Sequence, residues 1–129
     1  MNDRTLLELA ARAAGIPDAL YLDCVAQDMY HPRDGEAGIE VNHRDTRWSC
    51  LAIDGVWNPL TDDGDALRLA VKLGIVVIPD RENQRTLVSN SAGHEYCAIY
   101  WDKLGEMAAT RLAITEAAAE IGKSMGGGE

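Results

Sequence analysis

A polar segment at residues 42–48 carries the side chains best suited to hold a ligand. It places Arg44, Arg47 and Trp48 in a predicted turn between two strands. Guanidinium groups bind phosphate or carboxylate through paired hydrogen bonds, and an indole can stack on a planar ring. The combination predicts a small, anionic, nucleotide-like ligand. The alternative is a solvated hairpin turn with Trp48 directed into the core, and the sequence leaves both readings open.

A second set of candidate binding residues surrounds the start of the second predicted helix. Trp57 and Asn58 precede this helix, and Arg68 lies within its first two turns. Backbone N–H groups at a helix start can hold a phosphate. Three aspartates at positions 62, 63 and 65 oppose this, because they compete for the same amides and repel anions. In the structural alternative, Trp57 packs against the sheet and Asn58–Pro59 shapes the turn.

The remaining reactive side chains form no recognisable catalytic or metal-binding pattern. The run Asp62–Asp65 lacks the ligand spacing and the terminal glutamate of a calcium-binding EF-hand loop, so it fits a helix cap better. His94 and Cys97 are close in sequence, but a nucleophilic pair needs spatial alignment and an orienting third group. We expect a buried, apolar Cys97 beside a turn histidine, and no catalytic residue, metal or cofactor.

The composition limits the class of partner. The chain has 129 residues, of which 47% are hydrophobic, and a formal net charge of -9. The apolar content is enough for one core without disulfide or metal staples. Duplex nucleic acid and anionic membranes bind clustered lysine and arginine, so this acidic chain predicts neither as a partner.

The cysteines and the apolar runs predict the compartment. Cys24, Cys50 and Cys97 are odd in number and widely spaced, which argues against a disulfide framework and favours a reducing cytoplasm. Residues 1–9 lack the apolar core of a signal peptide. No apolar run approaches the ~20 residues that span a bilayer. We expect a cytoplasmic protein with no membrane contact.

Three segments with helical periodicity begin near Asp3, Asp62 and Asp102. The first two end at glycines, which favour the left-handed cap conformation. Asp62 is the expected N-cap of the second helix. The third helix extends to about Lys123 and is rich in alanine, which would let it approach a neighbouring helix closely.

Short apolar or alternating segments between the helices predict strands. These segments are 20–25 (strand or helix), 39–41, 48–53, 75–78, 86–89 and 96–101 (strand or helix). The continuous apolar run at 75–78 predicts a strand covered on both faces. Together, the segments predict an α/β (α+β) fold with three main helices on a mainly antiparallel sheet. We expect one domain over residues 1–129, with 126–129 a flexible tail.

Three stretches are similar to small phage and prophage proteins. They are Asp3–Gly15, Trp57–Leu73 and Ala108–Gly122. Their arrangement resembles the phage ABA-sandwich family. The resemblance implies a sheet between helical layers and a phage accessory protein that works inside a bacterial host cell. It implies no catalytic residue, because the family has no established catalytic motif.

The leading hypothesis is a non-enzymatic, phage-encoded counter-defence sponge that sequesters a nucleotide-derived immune signal of the host. One alternative is a protein-interaction inhibitor of a host enzyme, which the charge of -9 favours. Another is a hydrolase of the same nucleotide signals, with Asp or His side chains converging from separate loops. We also expect a homo-oligomer, most simply a dimer, held partly by the alanine-rich last helix.

Overall fold

Three helices and two small antiparallel sheets make up the part of the chain that the structure describes. The structure, a computed structural model, describes residues 2–16, 20–22, 38–40 and 56–125. The helices are α1 (Asp3–Ala14), α2 (Asp63–Leu73) and α3 (Glu106–Met125). This arrangement confirms the predicted α+β fold with three helices and an antiparallel sheet.

Each sheet has three strands in sequential order. The first contains β1 (Leu20–Leu22), β2 (Gly38–Glu40) and β3 (Val56–Trp57). The second contains β4 (Val76–Asp80), β5 (Arg85–Ser89) and β6 (Glu95–Tyr100). Neighbouring strands are antiparallel throughout, with a register irregularity between β5 and β6 at Val88/Ser89. The predicted strand at 48–53 lies outside the described residues.

The ends of α1 and α2 follow from local chemistry. The Asn2 side chain accepts a hydrogen bond from the Thr5 backbone N–H at 2.8 Å. The Asp62 side chain accepts one from the Asp65 backbone N–H at 2.8 Å, which confirms the predicted cap. Gly15 and Gly74 end the helices with φ of 80° and 67°, a region that favours glycine because it has no Cβ.

The start of α3 differs from the prediction by four residues. Residues 101–104 form a turn, and Gly105 follows in a left-handed conformation with φ of 86°. The side chain of Trp101 is buried, and its indole N–H donates to the Thr86 hydroxyl at 2.9 Å. This contact holds the turn against β5, so the helix begins at Glu106 and not at Asp102.

The prediction that residues 75–78 form a strand covered on both faces is wrong. Val76 and Ile78 are 38% and 46% exposed. Residues Thr86 and Val88 of β5 are buried on the opposite face, where the Thr86 hydroxyl lies 2.7 Å from the Thr110 hydroxyl of α3. The helix therefore covers one face of the sheet and leaves the other face of β4 accessible.

Helix α3 is the centre of the core. Its buried residues are Ala109, Ala113, Ile114, Thr115, Ala117, Ala118, Ala119 and Gly122. A Cβ at Gly122 would collide with the backbone carbonyl of Leu9 in α1. The alanines therefore allow close packing inside a single chain. Because they are already buried there, an oligomer would have to use another surface.

Candidate functional site

The segment entering α2 is built around a buried tryptophan. Trp57 is fully buried within the hydrophobic core, as the structural alternative expected. Its indole N–H has no acceptor in the part of the chain that the structure describes. A ring enclosed in this way cannot stack on a ligand from solvent unless the core opens.

Asn58, Asp65 and Arg68 form one polar network at the start of α2. The fully buried Asp65 carboxylate accepts from the Asn58 backbone N–H at 2.9 Å and from the Arg68 guanidinium at 2.7 Å. Arg68 also lies 3.8 Å from the Asp62 carboxylate. These bonds fasten the entry segment to the helix and hold the Arg68 guanidinium in one orientation.

Arg111 of α3 is a further member of this region that sequence reasoning missed. Its guanidinium donates to the Leu60 carbonyl at 2.9 Å and to the Asp63 carboxylate at 2.6 Å. The only sign of Arg111 in the sequence was that a charged residue stands within an alanine-rich helix. Its carboxylate partner is 48 positions away in the sequence, so local spacing could not identify it.

The structure therefore brings together part of the predicted ligand site. Asn58 and Arg68 meet through Asp65, whereas Trp57 lies in the core. An anion at the start of α2 would have to compete with carboxylates that already bind the guanidiniums. Arg44, Arg47 and Trp48 lie outside the described residues, so their role stays a prediction.

An apolar groove lies between α2 and α3 and is called the α2–α3 groove below. It has a volume of about 280 Å³, and β4 contributes Val77. Small or apolar residues from the two helices form the rest of its surface: Ala66, Leu67, Ala70, Met107, Thr110 and Ile114. Leu67 and Met107 are 64% and 55% exposed. The Asp63–Arg111 ion pair also lines the groove, so an apolar surface adjoins a polar contact.

A more open cleft of about 720 Å³ lies between the start of β6 and the end of α3. It presents the carboxylates of Glu95 and Glu120 beside His94 and Tyr96. Its acidic lining disfavours an anionic nucleotide. Among the described residues, no group of three or more His, Cys, Asp or Glu side chains is placed to hold a metal ion.

Cys97 lies in an environment that suppresses its reactivity. Burial, followed by the negative charges of Glu116 and Glu95, raises the pKa of its thiol to about 12. The thiol donates a long hydrogen bond of 3.7 Å to the Ala113 carbonyl. The exposed His94 ring instead contacts Tyr96 edge-on, with the ring centroids 5.1 Å apart. Cys97 is therefore protonated, and non-nucleophilic, at neutral pH.

This pKa predicts slow alkylation of Cys97. In a Cys24→Ser/Cys50→Ser variant, iodoacetamide at pH 8 should modify the folded protein at least ~100-fold more slowly than the protein in denaturant, because only the thiolate reacts. The rate should rise as the pH approaches 12 while circular dichroism still reports a folded chain. Equal rates in folded and denatured protein would contradict the assignment.

The part of the chain that the structure describes contains no helix both long and apolar enough to cross a bilayer.

Comparisons with known proteins leave the function to be argued from the chain itself. No family model matches it, and searches of curated proteins and of solved structures find no match either. The resemblance to phage ABA-sandwich proteins stays a prediction.

Proposed function

We propose that this protein acts by binding another protein through the α2–α3 groove and carries out no reaction itself. The exposed apolar surface of this groove is the observation that carries the proposal. Leu67 and Met107 stand on its two sides with more than half of their surfaces in solvent. Contiguous apolar surface bordered by polar groups is typical of interaction sites.

Two further contacts favour binding over catalysis. The Cys97 thiol is held protonated, so it is a poor nucleophile. The Asp65 carboxylate is engaged by the Asn58 backbone and by Arg68, which makes it a structural group. Among the described residues, the Cys97 thiol is thus a poor nucleophile, and the Asp65 carboxylate is occupied by hydrogen bonds within its own chain.

The phage resemblance supplies a biological setting for this proposal. A small accessory protein of a phage would act in the cytoplasm of a bacterial host. There, the acidic protein would bind a host defence enzyme through its apolar groove and inhibit that enzyme. This makes the protein a counter-defence inhibitor that works through protein interaction.

The proposal predicts capture of a host protein that depends on the groove. Immobilised protein is exposed to a bacterial lysate, and bound proteins are identified by mass spectrometry. Wild type and an Ile78→Gln control should retain at least one common protein. A Leu67→Gln/Met107→Gln variant should lose it, because apolar side chains on both sides of the groove become polar.

The two variants are matched, since all three positions are exposed and apolar. Ile78 lies on the open face of the sheet, away from the groove. Identical sets of proteins on all three baits would contradict the proposed function. Circular dichroism on each bait excludes unfolding as the cause of a lost interaction.

A second candidate function is sequestration of a nucleotide-derived signal, in the cleft of a homo-oligomer. The N-terminal end of a helix favours anions, and the guanidiniums of Arg68 and Arg111 lie at that end of α2, where an anion would have to displace the Asp65 and Asp63 carboxylates that they bind. Intact cyclic nucleotide or ADP-ribose derivative recovered after heat denaturation would favour this function. If an Arg44→Ala/Arg47→Ala variant no longer retains the ligand, the binding site is assigned to the predicted segment at residues 42–48. Recovery of a chemically altered ligand would instead indicate a hydrolase.

A further inference from the structure

We draw no further inference here: the strongest candidate, the open cleft between the start of β6 and the end of α3, rests on the exposed acidic side chains of Glu95 and Glu120, and no second observation on the described residues points to a ligand for it.

Discussion

Replacing Arg68 with alanine should lower the free energy of unfolding by about 3 kcal/mol, measured by urea denaturation. The substitution removes a cation that lies 2.7 Å from the fully buried Asp65 carboxylate. Breaking a buried ion pair by deleting one partner typically costs about 3–5 kcal/mol. The Arg68 side chain is 29% exposed, which places the expected loss at the lower end of that range.

Arg81 provides the matched control for Arg68. Its ion pair with Glu106 is long, at 3.5 Å, and both side chains are well exposed. Solvent screens such a pair, so Arg81→Ala should cost less than about 1 kcal/mol. Equal losses in the two variants would show that Asp65 does not depend on the Arg68 guanidinium.

This result bears on the nucleotide hypothesis. If Arg68 mainly stabilises the buried carboxylate, its alanine variant loses stability whether or not a ligand is present. Binding experiments on Arg68→Ala would then report unfolding as well as recognition. Arg44 and Arg47 are therefore the better positions for testing the nucleotide ligand.

Replacing Gly122 with alanine should destabilise the protein by at least about 2 kcal/mol, at the upper part of the range for overpacked cores. The added Cβ would overlap the backbone carbonyl of Leu9, which cannot rotate away as a side-chain tip can. Helix α1 must therefore move relative to α3. Thermal and urea unfolding measure the loss.

Intrinsic helix propensity predicts the opposite sign for Gly122→Ala. Alanine is favoured over glycine inside a helix by about 1 kcal/mol, so an unobstructed position would become more stable. Ser124→Ala, at an exposed site in the same turn, is the control for substitution alone and should change stability little. Increased stability in Gly122→Ala would mean that α1 and α3 do not approach each other closely.

The ends of the first two helices were predictable because their causes are local. Asp62 lies three residues from the backbone N–H that it caps. Gly74 adopts a conformation that glycine enters without the steric cost of a Cβ. The strands around the turn at 81–84 were also predictable, since the polar turn residues and the apolar residues on either side of them are close together in the chain. Contacts between residues that are close in the chain can be predicted from the sequence pattern alone.

The start of α3 and the exposed face of β4 depend on contacts that no local pattern contains. The Trp101 indole N–H donates to the Thr86 hydroxyl on β5, and residues 101–104 form a turn where the first turn of the helix was expected. Val76 and Ile78 are apolar like a doubly covered strand, yet α3 covers only the opposite face of their sheet. Apolar residues tend to be buried, but the arrangement of the helices and the sheet determines which of them are.

The candidate sites also contain some features that the sequence predicted and others that only the fold revealed. Residue chemistry alone identified Asn58 and Arg68 as polar groups at the start of α2, but only the fold showed that both bind the buried Asp65. Arg111 and the α2–α3 groove emerged from the packing of two helices that lie far apart in the chain. The shape of this groove depends on how closely Ala66 and Ala70 let the two helices pack. Tertiary structure therefore determined the proposed binding surface, whereas the sequence determined the helices that form it.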